Sequence, residues 1–139
     1  MPYCTQQNLI DRFGEPELIQ LTDRAGTLGA IDSAIVAAAI ADADAEIDSY
    51  LTDYTLPLSP VPANFERLAC DIARYYLYED QMIDIVQERY KNAVRYLEQV
   101  ASGKITLSVD ASGSAPAVAD GVEFTAAESI FSRDTLSGY

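Results

Sequence analysis

The sequence predicts an all-α chain, a bundle of about five helices over residues 1–103 followed by an extended C-terminal arm over residues 104–139. Three observations carry that reading. Apolar residues recur at three- and four-residue steps through 32–54, 63–78 and 83–101, the period of a single helix face. Chain breakers fall between those stretches, at Gly14, Gly26, Gly29, the Pro57, Pro60 and Pro62 cluster, and Gly103. Strand-like alternation stands out at Lys104–Val109, and a lone strand has nothing to pair with unless another chain supplies an edge.

Thr5, followed by Gln6, Gln7 and Asn8, marks a helix start, and Leu9, Ile10 and Phe13 give that helix an apolar stripe that Gly14 ends. Pro16 then occupies a first turn, where its missing N–H costs nothing, and Leu18, Ile19 and Leu21 follow in a second short helix ending near Asp23. Ala25–Ala30, with two glycines, reads as a loop. Asp32 caps a long third helix, along which Val36, Ile40, Ala43, Ile47, Tyr50, Leu51 and Tyr54 form one continuous face. Three prolines in Leu56–Pro62 exclude helix there and set an extended connector. The fourth helix is expected from about Ala63 to Tyr78, burying Phe65, Leu68, Ala69, Ile72 and Tyr76. A fifth starts near Ile83, turns Val86, Tyr90, Val94, Leu97 and Ala101 inward, and is closed by Gly103.

Beyond the fifth helix, Ala111–Ala119 is rich in Ala, Ser, Gly and Pro and is expected to be mobile in the isolated protein. The chain nevertheless closes with Ile130-Phe131-Ser132-Arg133-Asp134-Thr135-Leu136-Ser137-Gly138-Tyr139. A linker needs no such anchors. Phe131, Leu136 and Tyr139 would leave water in a groove on another subunit or partner, so the arm points to assembly rather than chemistry.

The chain carries 9 basic residues against 22 acidic ones, with no His, for a net charge of −13. The imbalance is steepest in residues 1–61, with ten acids and two bases. Tight nucleic-acid binding needs Lys and Arg to neutralise phosphates, so this chain should repel DNA and anionic membranes alike. An acidic lumen through which a duplex passes without sticking is compatible with the same charge. Cys4 sits in what reads as a disordered or capping N-terminus and Cys70 in a helical stretch, without disulfide or zinc spacing; both read as reduced thiols of a cytosolic protein. No basic-then-apolar leader follows Met1, and the apolar run Ala34–Ala41 is far short of the roughly 20 residues of a membrane span.

Asp42, Asp44, Glu46, Asp48 and Asp53 superficially match a calcium loop. Ile47 occupies the position where such a loop needs Gly, and the residues lie in a helical pattern rather than a loop. At 100° per residue, Asp42, Glu46 and Asp53 fall on one flank of the apolar face and Asp44 and Asp48 on the other, so they do not converge on a metal. Glu79 with Asp80, and Asp84 with Glu88, are ordinary helix-end charges lacking a positioned partner. No Ser or Cys sits in a nucleophile motif, and Gly26 and Gly29 lack the remainder of a phosphate loop. The expectation is therefore no enzyme, with no catalytic, cofactor or metal residues.

Nine tyrosines and no tryptophan favour contacts with a wet edge, and Tyr75, Tyr76 and Tyr78 must point around the fourth helix. Arg67, Arg74, Arg89, Lys91 and Arg95 place most of the positive charge in helices four and five. If Asp42, Glu46 and Asp53 of one copy met Arg67, Arg74, Arg89 and Arg95 of the next, a head-to-tail ring would follow; pairing within one bundle is the alternative.

Taken together, Tyr3-Cys4-Thr5-Gln6-Gln7-Asn8-Leu9-Ile10-Asp11-Arg12-Phe13-Gly14, the Ile31-Asp32 lead into a helix with Ile47-Asp48-Ser49-Tyr50-Leu51, the Tyr54–Pro62 connector, Cys70-Asp71-Ile72-Ala73-Arg74-Tyr75-Tyr76-Leu77-Tyr78 and Phe131-Ser132-Arg133-Asp134 resemble the conserved small head/neck protein family of Mu-like phages and prophages. The resemblance spans nearly the whole chain. It implies a virion structural protein, similar to head–tail connectors or adaptors that form a twelve-subunit ring beneath the portal. Ile130, Phe131, Arg133, Asp134, Leu136 and Tyr139 would dock on the portal protein, and a downstream neck or tail-completion protein would follow. DNA would pass without specific binding. The protein would be made in the host cytoplasm and end in the virion neck. A soluble acidic regulator that binds a basic host or phage protein is the alternative.

Overall fold

The computed structural model describes residues 2–78 and 82–108. The expected docking residues Ile130, Phe131, Arg133, Asp134, Leu136 and Tyr139 lie outside that span, as do Ala111–Ala119 and the Glu79–Asp80 pair. The described residues form five helices and no strand: α1 (Gln6–Phe13), α2 (Glu15–Thr22), α3 (Ser33–Ser49), α4 (Asn64–Leu77) and α5 (Asp84–Ala101). The all-α fold class is as the periodicity predicts.

Local chemistry sets the boundaries. Thr5 caps α1 reciprocally: its side chain accepts from the Asn8 N–H while the Asn8 side chain accepts from the Thr5 N–H. Gly14, at φ 92°, then turns the chain directly into α2, with Pro16 in the first turn. The Asp23 carboxylate accepts from the backbone N–H of Thr27, Leu28 and Gly29, which fixes the loop before α3 and lowers its pKa. Asp32 caps α3 through the Ala34 and Ile35 N–H groups, and its own N–H donates to the buried Thr22 hydroxyl.

α4 is the centre of the molecule. Phe65 and every residue from Leu68 to Ala73 are buried, so it is covered on most of its circumference rather than along one stripe. α3 and α5 each pack against it, and α1 touches both α3 and α4. Cys4 is buried in the core, not in a loose N-terminus: Tyr3 packs on the Phe65 ring at 5.6 Å, and Cys4 lies against Cys70. Both cysteines are free thiols.

Three boundaries differ from the sequence reading. α3 stops at Ser49, and Tyr50–Tyr54 continue as turns that still bury Leu51, so apolar spacing outlived the helix. In α5 the buried positions are Val86, Ala93, Leu97 and Val100, whereas Ala101 is exposed and Val94 and Tyr90 are half-buried. The periodic stripe was drawn about one position too far round, because a helix with Tyr90 and Tyr96 at its edges offers two overlapping apolar faces. Lys104–Ser108 is not a strand. Leu107 is buried in the core, and its N–H donates to the Tyr54 hydroxyl at 3.1 Å.

Leu107→Ala therefore lowers unfolding stability by about 2–4 kcal/mol, as for other core aliphatics. Urea denaturation of the full chain checks it. A loss below 0.5 kcal/mol would mean that the segment after α5 is not part of the core.

Candidate functional site

Polar side chains converge where helices meet. Tyr75, Tyr76 and Tyr78, which α4 fans out at 100° per residue, each reach a different neighbour. The Tyr76 hydroxyl donates to Glu46 of α3 at 2.5 Å, and Tyr90 of α5 donates to the same carboxylate at 2.8 Å. Tyr75 stacks on Tyr90 with centroids 3.8 Å apart. Tyr78 donates to Glu17 of α2 at 2.7 Å. That carboxylate also receives two donors from Arg74, at 2.6 and 3.2 Å, and the guanidinium lies 4.2 Å from the Phe13 ring centroid.

The two flanks of α3 hold different partners, as the helical angles predict. Glu46 faces α4 and α5, whereas Asp44 accepts from the Tyr3 N–H and Asp48 from the Tyr3 hydroxyl. Burial raises the Asp44 pKa. Among the described residues no group of three or more His, Cys, Asp or Glu comes together in a way that could hold a metal. No described helix is long and apolar enough to cross a membrane.

The residues expected at subunit contacts divide into two sets. Arg74 and Glu46 are engaged inside the chain, the pairing the sequence left open as an alternative to a neighbour. Asp42, Asp53, Arg67, Arg89 and Arg95 are exposed, and among the described residues none of them has a hydrogen-bond or ion-pair partner. Arg12 pairs with Glu66 at 2.8 Å on the surface.

Two features escape the sequence reading. Asp71 is buried at 6% exposure within α4, its pKa raised by desolvation and opposed by Arg89, Arg67, Arg12 and Arg74 around it. Met82, Ile83 and Ile85 are exposed ahead of and in the first turn of α5 at 40%, 43% and 50%.

The family model described as "Bacteriophage Mu, Gp36" matches residues 3–126. The chain belongs to this phage Mu family. It is 36% identical over 138 residues to the Mu-like prophage FluMu protein gp36 of Haemophilus influenzae, covering 99% of this chain and 97% of the relative. It is also 36% identical over 135 residues to "Gene product J" of Escherichia phage Mu, with 96% of each chain covered. The match to this Gp36 family accords with the resemblance to Mu-like phage proteins drawn from the sequence.

The Glu46 cluster gives the Gp36-family chain a defined alkaline limit. Burial, then the Glu46 acceptor, push the Tyr76 hydroxyl up to about 12 and raise Tyr90 for the same causes. An unfolded tyrosine ionises near 10, so the folded state favours the protonated form. The stabilisation is complete below pH 10 and is lost as pH climbs from 10 towards 12. Urea midpoints should fall across that window, and less steeply in Glu46→Gln, whose neutral amide does not repel a tyrosinate. Glu46→Ala, which strands two hydroxyl donors, costs about 1–3 kcal/mol at pH 7.

Proposed function

We propose that this protein is a virion structural component, a head–tail connector or adaptor that forms a homo-oligomeric ring between portal and tail and surrounds the DNA channel. Membership of the phage Mu family supports a phage role. The observation that carries the finer reading is exposed charge without a direct partner in the same copy. Asp42 and Asp53 project in and after α3, whereas Arg67, Arg89 and Arg95 project from α4 and α5, and neither set has a hydrogen-bond or ion-pair partner among the described residues. A single copy thus leaves acids on and after α3 and arginines on α4 and α5 exposed, the latter interspersed with the exposed Asp84, Glu88 and Glu98. Head-to-tail contact between copies satisfies both and closes a ring when the rotation permits.

The C-terminal arm has the second task in this reading. Ile130, Phe131, Arg133, Asp134, Leu136 and Tyr139 dock on the portal protein, and tethering to a seated ring gives each arm a high effective concentration for that contact. A chain of net charge −13 keeps the lumen unattractive to the passing duplex. A downstream neck or tail-completion protein would bind the other rim.

Sedimentation velocity and native mass measurement with the cognate portal test this. The full chain is expected to form a ring that co-sediments with portal, and a chain lacking residues 128–139 is expected to lose portal binding by at least tenfold and to yield tailless heads in infection. A protein that stays monomeric with portal present, and whose truncated form still supports particle assembly, ends the connector reading and favours a soluble acidic regulator of a basic partner.

A further inference from the structure

The two cysteines of this chain come from distant parts of the sequence, Cys4 from the segment before α1 and Cys70 from the middle of α4, and the fold brings them together as free thiols. Both are buried, at 1% and 0% exposure, in the same core cluster, and their thiols are hydrogen-bonded to each other. The residue before Cys4 holds it in place from two sides. The Tyr3 ring packs on Phe65 of α4, while the Tyr3 N–H and hydroxyl donate to Asp44 and Asp48 of α3. Two thiols kept against each other by backbone that is already fixed are the starting point of a disulfide.

A buried thiol pair is inert unless an oxidant reaches it. Cys4 lines an open groove of about 380 Å³ between the N-terminal segment and α3, with Pro2, Val36 and Ile40 among its other walls. Hydrogen peroxide is small enough to enter such a groove. The pair also releases a proton more readily than a thiol buried alone. The Cys70 pKa is lowered chiefly by the hydrogen bond from Cys4, which outweighs burial, and then by the Arg12 charge, against the opposing charges of Glu66 and Asp71.

We propose that Cys4 and Cys70 are a redox pair, two thiols in reducing surroundings and one disulfide once peroxide reaches them through the groove. One sulfur of the pair attacks peroxide as thiolate, the O–O bond breaks, and a sulfenic acid and hydroxide form. The second sulfur then attacks the sulfenic sulfur, forming the S–S bond and expelling the sulfenic oxygen as water. The two thiol protons end in two waters, and the two electrons lost by the sulfurs reduce the peroxide. The new bond closes a loop through α1, α2, α3 and the proline connector, and it ties the segment before α1 covalently to the central helix. A phage protein made in a reducing host and released in a particle meets both surroundings. That setting rests on the proposed virion role; the chemistry of the pair does not.

The full chain, purified with a thiol reductant, desalted and exposed to hydrogen peroxide in native buffer, tests this. Both thiols are expected to disappear together when titrated afterwards in denaturant, and digestion without reductant is expected to yield the peptide containing Cys4 joined to the peptide containing Cys70. The melting temperature is expected to rise by about 10 °C and to return when dithiothreitol is added. Cys4→Ala and Cys70→Ala, each checked for folding by circular dichroism, are expected to show no reversible rise; the wild-type measurements decide the matter even where a variant fails to fold. Thiols that stay reduced in the folded chain, oxidation that stops at sulfinic acid or joins two copies, or a disulfide that leaves the melting temperature unchanged each overturns the redox pair. Ring assembly is read separately, by sedimentation with portal, so its failure and the failure of this pair are distinguishable.

Discussion

Everything in this small fold depends on α4 being covered on most of its sides. A helix with Phe65 and the unbroken run Leu68-Ala69-Cys70-Asp71-Ile72-Ala73 buried cannot be stabilised by one neighbour. It needs α3 over one side, α5 over another, and α1 with the Tyr3–Cys4 segment over the remainder. Small residues make close approach feasible: Ala69, Cys70 and Ala73 on α4 and Ala39 and Ala43 on α3 are all buried in one core. The two short N-terminal helices, too brief to persist alone, are held by the Arg74–Glu17 pair, the Arg12–Glu66 pair and burial of Leu9 and Leu18.

That arrangement decides where charge can go. With α4 enclosed, its polar side chains must either be satisfied at a helix seam or emerge at an edge. Tyr76, Tyr78 and Arg74 take the first course, through Glu46 and Glu17, and Arg67 takes the second. Asp71 takes neither. It stays buried in α4, where desolvation raises its pKa against the opposing pull of Arg89, Arg67, Arg12 and Arg74. Most of the charge not spent at seams is therefore left facing outward.

Helix identity was legible because apolar period, caps and breakers agree along most of the chain: Thr5, Gly14, Pro16 and Asp32 act at the positions their chemistry suggests. Limits appeared where tertiary contact overrides local pattern. Tyr50, Leu51 and Tyr54 keep helical spacing but sit in turns, because the chain must reverse towards Leu58 and α4. Lys104–Ser108 alternates like a strand, yet Leu107 is drawn into the core by the Tyr54 hydroxyl and its apolar surroundings. For the candidate surfaces, sequence angles correctly separated Asp44 and Asp48 from Glu46, but could not say which charges the chain itself consumes. Glu46 and Arg74 differ from Asp42 and Arg89 only in having a neighbour within reach, and that depends on how three helices meet.

The same distinction separates the charges that fold this chain from those it leaves exposed. Charges locked at seams, such as Glu46 beneath two tyrosine hydroxyls, resist competition from outside because breaking them strands buried donors. Exposed groups such as Arg95 carry no such penalty and would gain by meeting an opposite charge as water leaves an interface. Apolar side chains follow the same logic: Leu97 and Val100 are committed to the core, whereas Ile85, on the same helix, is half in water. A single helix thus divides along its length into a part that folds the chain and a part left over after folding.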